Sequence, residues 1–423
     1  MNVLILGSGG REHVLAKKMS QSKAISKLFI APGNAGTAEC GQNIAISATD
    51  FAAVAEICLS HQIDLILPGN EDPLVAGIVD FIAAHPQLNH IMVAGPSKAA
   101  AQLEGSKDFS KILMAKYQIP TAQFLTVTAD NYEAGCAFLD QLSAPYVLKA
   151  DGLAAGKGVL IIDDLAQAKS DLKDMLHGKF GQASAKVVIE EFLKGIELSA
   201  FVLADGEHYI MLPEAKDYKR IGVADTGLNT GGMGAVSPVP FADKAFMDKV
   251  EAEVVIPTLK GLQQEGIPYK GFLFIGLMNV DGQPKVIEYN CRMGDPETEV
   301  VIHRLNNDLL DLMVATCQGQ LNKQTLSVNP QTAVTVFMVS GGYPEQFEKG
   351  YEITGLDKVK DSVVYHAGTT IKDNKVVTNG GRVIAVTSVG ADISSALQHS
   401  MANAAIIQFE NKYYRTDIGQ DLL

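Results

Sequence analysis

The chain has 423 residues, of which 47% are hydrophobic and 20% are charged, which predicts a globular protein of two to four domains. Its formal net charge of −13 argues against nonspecific nucleic-acid binding, and five scattered cysteines without a Cys-x-x-Cys pair argue against a disulfide framework or a zinc site. Since it shows no signal-peptide pattern and no apolar run of membrane-spanning length, we expect a cytoplasmic protein that binds neither membranes nor nucleic acid.

The first hundred residues alternate short apolar runs with helical patterns. The runs cover residues 3–6, 27–31, 64–67 and 91–94, and each ends near glycine or proline. This alternation predicts βαβ units and an open parallel sheet, in which ligands gather at the carboxyl ends of the strands. We therefore predict an N-terminal parallel-sheet domain over residues 1–104.

A glycine-rich turn at residues 7–10 follows the first run and leads into a helical stretch at Arg11. A helix N-terminus after such a turn can bind a phosphate group, which we favour over a plain surface turn. Glu12 occupies the third glycine position of the dinucleotide pattern G-x-G-x-x-G. This departure argues against a dehydrogenase.

A second region begins near residue 105, and residues 124–194 form a small lobe of strand-like runs. The loop 149–158 lies between two of these runs and contains three glycines and two lysines. Backbone amides of glycine-rich loops close around phosphate oxygens, and lysines add positive charge. The loop is not a P-loop, because only three residues separate Gly152 from Gly156 and Gly158 follows Lys157. We predict a phosphate-binding loop.

Two later segments carry polar residues that suit a small ligand. Acids at positions 190, 191 and 197 follow a strand-like run and could accept hydrogen bonds from an amino group or from ribose hydroxyls. A solvated strand end is the alternative. Residues 225–235 contain four glycines and would be costly to order, so we favour a substrate clamp there.

The run 286–297 begins as a strand and ends in a loop broken by Gly294 and Pro296. Residues two apart on a strand share a face, so we expect Glu288, Asn290 and Arg292 side by side. Carboxylate and amide oxygens suit Mg²⁺ bound together with substrate phosphates, and arginine binds phosphate or carboxylate. Taken alone, this pattern fits a solvated strand face equally well.

Residues beyond 329 alternate in the manner of antiparallel strands, with turns at 373–374 and 379–381. We predict a small C-terminal α+β domain over residues 327–423. The central domain then covers residues 105–326.

Together these motifs resemble those of the ATP-grasp ligases and, within them, of the phosphoribosylamine–glycine ligase family. Six motifs carry the resemblance in order over essentially the whole chain, at residues 7–13, 103–107, 149–158, 188–192, 229–234 and 288–297. Residues 378–383 also resemble the family's last domain. The resemblance implies an α/β and α+β fold with an N-terminal open parallel sheet, a central ATP-grasp domain with a small lid lobe over about 124–194, and a small C-terminal α+β domain.

The resemblance implies ATP-dependent ligation of glycine to phosphoribosylamine through a glycyl phosphate, in de novo purine biosynthesis. The implied partners are these two small molecules, the implied cofactors are ATP and Mg²⁺ or Mn²⁺, and we expect a monomer. No protein nucleophile is needed for this chemistry, but a reactive acyl phosphate must be shielded from water, which is the role expected of the lid lobe.

The resemblance also assigns roles to single residues. It implies that the metal ligands are Glu288 and Asn290. It implies that ATP is bound by Lys107, Lys149, Gly156, Lys157, Glu190, Glu191, Phe192 and Glu197. It implies that the catalytic residues, which position glycine and the acyl phosphate, are Arg292, Asp225, Asn229 and Thr230. The implied substrate-binding residues are Gly9, Gly10, Arg11, Glu71, Gly231, Gly232, Met233, Gly234 and Asp295.

Four positions depart from the family pattern. Asn70 alters the turn before Glu71, Tyr218 stands where histidine is usual, Leu228 where proline is usual, and Val236 where an aromatic residue is usual. The alternative that these departures leave open is another ATP-grasp carboxylate–amine ligase or carboxylase of nucleotide or amino-acid metabolism. A nonenzymatic nucleotide sensor is a third hypothesis, against which the retained metal-site residues and lysines argue.

Overall fold

The computed structural model describes residues 1–153, 158–179, 181 and 185–423. The strands are β1 Asn2–Gly7, β2 Lys27–Pro32, β3 Gln42–Asn43, β4 Leu65–Pro68, β5 Met92–Val93, β6 Phe124–Val127, β7 Tyr146–Ala150, β8 Val159–Ile162, β9 Val187–Glu190, β10 Ile196–Asp205, β11 Tyr209–Asp217, β12 Arg220–Gly222, β13 Thr226–Asn229, β14 Gly234–Ser237, β15 Lys270–Val280, β16 Gln283–Asn290, β17 Thr332–Val339, β18 Val363–His366, β19 Thr369–Lys372, β20 Lys375–Thr378 and β21 Arg382–Gly390.

The α-helices are α1 Gly10–Met19, α2 Phe51–His61, α3 Glu71–Ala76, α4 Ile78–Ala84, α5 Gln102–Gly105, α6 Lys107–Lys116, α7 Tyr132–Leu139, α8 Leu165–Asp174, α9 Lys244–Val250, α10 Ile256–Gln264, α11 Thr298–Arg304, α12 Leu309–Gln318 and α13 Ile393–Ile406. None of the helices in the described part of the chain is long and apolar enough to cross a membrane.

The first sheet is parallel and has the strand order β3-β2-β1-β4-β5. Its central strand is apolar along its length, and Val3, Leu4, Ile5 and Leu6 are fully buried, as expected for a parallel sheet covered on both faces. The carboxyl ends of β1, β2 and β4 meet at one edge. The predicted N-terminal parallel sheet is confirmed.

The second sheet is antiparallel and has eight strands in the order β16-β15-β10-β11-β14-β17-β21-β18. The metal-site motif lies on its edge strand, β16, which pairs with β15. Pairing of β14 with β17 joins the central region to the C-terminal strands in one continuous sheet. Because this sheet crosses the predicted boundary at 326/327, the domain division stays a prediction.

A third sheet forms the lobe that was predicted over residues 124–194. It is antiparallel, with the order β6-β9-β7-β8, and α7 and α8 pack on it. Its core contains Leu148, Leu172 and Ile189 and is separate from the other buried clusters. Two larger cores combine residues of the first sheet with residues of the eight-stranded sheet, so the edges of these two sheets are fixed relative to each other.

Candidate active site

A cavity of about 390 Å³ opens where β1, β2 and β4 end. Its walls include Gly9, Arg11, Glu71 and Asp295, four of the residues predicted to bind substrate. Other parts of the wall come from residues that the sequence did not single out: Pro32, Ser47, Ala48, Thr49 and Asp72. The cavity lies at the edge of the parallel sheet where ligands were expected.

The glycine-rich turn beside this cavity is closed by Glu12. The Glu12 Oε2 atom accepts a hydrogen bond from the Gly9 backbone N–H at 2.5 Å. Gly7 has a φ of +134°, and a Cβ there would lie 2.5 Å from the Glu12 side chain. Gly10 starts α1, where a Cβ would lie 2.4 Å from Glu299 Oε1, so a larger residue there would displace the Glu299 side chain. Arg11 donates from Nη1 to the Met293 carbonyl at 2.9 Å.

Arg292 lies beside the cavity and is held by two carboxylates. Its Nε atom is 3.0 Å from Glu71 Oε2, and its Nη2 atom is 2.8 Å from Glu104 Oε1. Burial raises the pKa of Glu71, but Arg292 and Arg11 outweigh burial and lower the pKa to about 2, so Glu71 is ionised at neutral pH. Burial raises the pKa of Glu104, and Arg292 opposes that rise. The guanidinium of Arg292 is therefore fixed in direction, which suits the positioning of an anionic substrate.

The predicted phosphate-binding Lys149 shares a buried carboxylate with a second lysine. Its Nζ atom is 2.9 Å from Glu190 Oε1, and Lys111 Nζ is 2.9 Å from Glu190 Oε2. Burial lowers the pKa of Lys111 to about 8, against the opposing effect of Glu190. The Glu190 side chain is engaged by these lysines, so the adenine contact predicted for this residue would come from its backbone.

The predicted metal ligands Glu288 and Asn290 lie on β16 with the spacing of one strand face. Burial raises the pKa of Glu288, but four cations outweigh it and lower the pKa: Lys219, Lys149, Lys107 and Arg292. None of the described residues makes a hydrogen bond or an ion pair with the Glu288 carboxylate, and the Nδ2 atom of Asn290 is buried without a partner among them.

This donor set fits a divalent cation. An ionised carboxylate and an amide supply two hard ligands, and the surrounding cations attract the phosphates that would supply the others. Across residues 1–153, 158–179, 181 and 185–423, no cluster of three or more His, Cys, Asp or Glu side chains is suited to a metal. A cation here would thus depend on bound phosphate. Lys107 belongs to the same group, and burial lowers its pKa while Glu288 raises it.

The residues predicted to hold adenine and ribose follow β9. Glu191 Oε1 lies 3.4 Å from Lys285 Nζ. Phe192 is 38% exposed, which leaves an apolar side chain accessible to a base. The Lys219 ammonium lies 2.6 Å from Glu197 Oε2 and lowers the pKa of Glu197. The segment therefore presents an aromatic side chain and an ionised carboxylate on the same short stretch.

The glycine-rich loop predicted to hold glycine is attached to the segment that follows β11. The Thr230 backbone N–H and hydroxyl both donate to the Lys219 carbonyl at 2.7 Å. The Met233 backbone N–H donates to the Tyr218 carbonyl at 2.7 Å, and the Tyr218 N–H donates to the Gly234 carbonyl at 3.0 Å. The loop is thus ordered by backbone hydrogen bonds.

Arg382 of β21 connects this loop to the metal-site motif. Its Nη1 atom donates to the Gly231 carbonyl at 2.7 Å and to the Asp295 carbonyl at 2.9 Å, and lies 3.0 Å from Asp295 Oδ1. The Gly232 carbonyl is 3.4 Å from the same nitrogen. Predicted substrate residues from two separate motifs are brought together by one C-terminal guanidinium.

Two predicted catalytic residues lie on the exposed hairpin of β12 and β13. The Asp225 side chain is 57% exposed, and its Oδ1 atom is 2.6 Å from Arg415 Nη1. Asn229 is exposed and pairs through its backbone with Arg220. Neither side chain contacts Glu288 or Arg292 in this structure, so their catalytic roles stay predictions. Gly156 and Lys157, predicted to contact ATP, lie outside the described residues.

Several residues of the site were missed at the level of sequence. Glu104 stands in the motif at 103–107, but nothing local indicates that it faces Arg292. Lys111 follows Lys107 by one helical turn of α6, and that spacing is a signal that could have found it. Arg382 and Arg415 come from distant parts of the chain, so only tertiary contacts reveal them.

Family models of phosphoribosylglycinamide synthetase match the chain in three consecutive stretches. The N domain matches residues 1–104, the ATP-grasp (A) domain matches residues 105–298, and the C domain matches residues 333–421. The chain belongs to this family. The predicted family and the predicted fold class are both confirmed.

Full-length relatives agree with this assignment. A phosphoribosylamine–glycine ligase of Pasteurella multocida is 46% identical over 424 residues, covering 99% of this chain and 97% of the relative. The Yersinia pestis protein of the same name is 46% identical over 426 residues, covering 99% and 98%. The predicted activity, a carbon–nitrogen ligase of purine biosynthesis, is confirmed at the level of the family.

Solved structures show the same fold. The crystal structure of phosphoribosylamine–glycine ligase from Thermotoga maritima matches with a TM-score of 0.86 at 35% identity, covering 99% of this chain and 100% of that one. A biotin carboxylase domain from Hydrogenobacter thermophilus matches with a TM-score of 0.73 at 14% identity, covering 97% and 91%, and shows the fold alone. The ATP-grasp fold implies use of ATP with a divalent cation.

Proposed function

We propose that this protein joins glycine to phosphoribosylamine, with ATP converted to ADP and phosphate. The observation that carries the proposal is the position of Arg292. Its guanidinium is held between Glu71, which lines the N-terminal cavity, and Glu104, and it lowers the pKa of Glu288, which lies on β16 just before Arg292 in the chain. A substrate in the cavity would therefore meet an ATP-activated carboxylate beside Arg292.

The reaction proceeds in two transfers. A carboxylate oxygen of glycine attacks the γ-phosphorus of ATP, the bond to the β-phosphate oxygen breaks, and ADP leaves with that electron pair. The amine nitrogen of phosphoribosylamine then attacks the carbonyl carbon of glycyl phosphate, phosphate leaves, and the nitrogen loses a proton. Both steps develop negative charge on oxygens, so cations in fixed positions supply the catalysis.

The chain's residues divide this work between them. Lys107 and Lys149 hold the phosphates, and Arg292 orients the glycine carboxylate and the acyl phosphate. The glycine-rich loop from Thr230 to Gly234 encloses the glycine side of the site, and the lobe over 124–194 excludes water while the acyl phosphate exists. Glu288 and Asn290 would hold Mg²⁺ or Mn²⁺, which would supply positive charge to neutralise the phosphates.

The N-terminal cavity takes the phosphoribosyl group. Its Arg11 guanidinium supplies positive charge, and Glu71 accepts hydrogen bonds from ribose hydroxyls. We propose further that the protein acts as a cytoplasmic monomer with domains at 1–104, 105–326 and 327–423.

Release of ADP tests the proposal. Purified protein with ATP and Mg²⁺ should release ADP only when glycine and phosphoribosylamine are both present, with one glycinamide ribonucleotide formed for each ADP. Replacing phosphoribosylamine by other amines, or glycine by other amino acids and by bicarbonate, should stop release. Turnover with another carboxylate and amine pair, and none with this pair, would refute the proposal in favour of a different ATP-grasp ligase or carboxylase.

A further inference from the structure

Tyr218 is a large side chain that is fully buried next to the site, at a position where the family pattern led us to expect histidine. Its hydroxyl donates a hydrogen bond to Asp421 Oδ1. The Lys216 ammonium lies 3.8 Å from the centre of its ring and 3.0 Å from Asp421 Oδ2. Asp421 therefore contacts both Lys216, at the end of β11, and Tyr218, which directly follows β11.

Strand geometry places the site on the other side of this segment. Lys216 and Tyr218 contact Asp421, whereas Asp217 and Lys219 interact with the charges of Glu197 and Glu288. This alternation is the one expected where the chain stays extended at the end of a strand. Lys219 reaches Glu197 at 2.6 Å and lowers the pKa of Glu288. The segment from Lys216 to Lys219, which we call the wall, thus has the ATP side on one face and residues near the C-terminal end of the chain on the other.

The backbone of the same wall carries the glycine-rich loop. Tyr218 exchanges backbone hydrogen bonds with Met233 and Gly234, and the Lys219 carbonyl accepts two hydrogen bonds from Thr230. A shift of the Tyr218 side chain would move these carbonyl and amide groups, and with them the loop.

A second attachment comes from the same C-terminal segment. Arg415 is 1% exposed, donates from Nη1 to the Arg220 carbonyl at 3.1 Å and contacts Asp225. Asp417 binds the other side of the Arg415 guanidinium at 2.7 Å and accepts a hydrogen bond from the Ala224 N–H at 2.8 Å. Segment 415–421 therefore contacts both ends of residues 220–225, the stretch that leads from the wall to the glycine-rich loop.

We propose that segment 415–421 positions the glycine-rich loop for glycine, and that Asp421 is a positioning residue of the ligase. The inference rests on the proposed function. Asp421 touches no substrate in this account, and it acts through Tyr218 and Lys216. Loss of Asp421 should loosen the loop, while Lys107 on α6 and Lys149 on β7, the predicted phosphate contacts, keep their geometry because they lie on other elements.

Steady-state kinetics of Asp421→Ala test this inference against the control Asp357→Ala, which removes an exposed aspartate elsewhere in the C-terminal region. In Asp421→Ala the KM for glycine should rise about tenfold or more, because small misplacements of binding groups have effects of that size. The KM for ATP should stay within about twofold of the wild-type value, because Lys107 and Lys149 keep their positions. Asp421→Asn keeps an acceptor for Tyr218 and should show a smaller rise, as should Tyr218→Phe, which keeps the ring beneath Lys216.

A merely structural role would give a different pattern. It would lower kcat in proportion to the folded fraction and leave the KM for glycine unchanged, or raise both KM values alike, and either result overturns the inference. Hydrogen exchange of the peptide covering residues 226–234 gives a reading that does not depend on turnover. Exchange should be faster in Asp421→Ala than in wild type and in Asp357→Ala. Equal exchange would refute the inference even if the proposed reaction itself failed.

Discussion

Glu288 has an ionised carboxylate that makes no hydrogen bond or ion pair within the described residues, while four cations lower its pKa. An ionised carboxylate without such partners is better suited to binding a ligand than to stabilising the fold. Glu288→Ala should therefore lower turnover by about 100-fold or more, the size seen when one electrostatic contact to a transition state is removed.

The melting temperature separates this outcome from unfolding. It should change little in Glu288→Ala, because the side chain contributes no contact to a core. The Mg²⁺ concentration needed for half-maximal turnover should rise in the same variant. Normal activity at the normal Mg²⁺ requirement would remove the metal role from Glu288.

Glu299 is a buried acid whose ionised form is disfavoured in the folded protein. It is fully buried, neither carboxylate oxygen has a partner in the described part of the chain, and burial together with Asp295 raises its pKa well above 4.5. The nearby Arg382 and Arg11 oppose that rise. The folded state therefore binds this proton more tightly than the unfolded state does, and the stability contribution of Glu299 falls as pH rises above 4.5.

Glu299→Gln removes this titration. The free energy of unfolding of the variant minus that of wild type should grow from pH 5 to pH 8, by at most about 1.4 kcal/mol for each pH unit. Urea denaturation at several pH values measures the difference. A difference that does not depend on pH would show that Glu299 is ionised in the folded protein.

At the scale of elements, α5 and the end of β16 are joined through Glu104. This side chain binds Arg292 Nη2 and accepts a hydrogen bond from the Cys291 backbone N–H at 2.8 Å. Glu104→Ala leaves a buried guanidinium with one partner fewer, which costs about 3–5 kcal/mol in comparable buried pairs. We expect that loss in the free energy of unfolding, measured with urea.

The matched control is Glu56→Ala, which removes an exposed glutamate of α2. Its free energy of unfolding should stay within about 0.5 kcal/mol of wild type. Because Arg292 also loses its fixed direction, kcat should fall in Glu104→Ala and not in the control. Equal stability of the two variants would mean that Glu71 alone fixes Arg292.

Strands and loops were predictable where periodicity is local. Apolar runs ending near glycine or proline predicted the parallel sheet, and the alternation around residues 286–290 predicted the strand that carries Glu288 and Asn290. Arg292 lies beyond the end of that strand, so the shared face of all three residues stays a prediction. Pairing of β14 with β17 was not predictable, since it joins residues about a hundred positions apart and depends on which sheet edges are free. The role of Arg382 was not predictable for the same reason, because its partners Gly231 and Asp295 lie in two distant motifs.

Across the whole molecule, the site is assembled from every part of the chain. The first sheet gives the cavity at the ends of β1, β2 and β4, β16 gives Glu288, β7 of the lobe gives Lys149, and β21 gives Arg382. Two hydrophobic cores each span the first sheet and the eight-stranded sheet, which keeps the cavity fixed relative to β16, the strand of the predicted metal ligands. The lobe has its own core, as a lid that moves independently would require.

In the proposed reaction, glycine is activated as an acyl phosphate before the amine attacks. Glycine labelled with ¹⁸O in both carboxylate oxygens tests it most directly, with ATP, Mg²⁺ and phosphoribosylamine present and the released phosphate analysed by mass spectrometry. We expect one ¹⁸O atom in each phosphate and one left in the amide product. Release of unlabelled phosphate during product formation would contradict it.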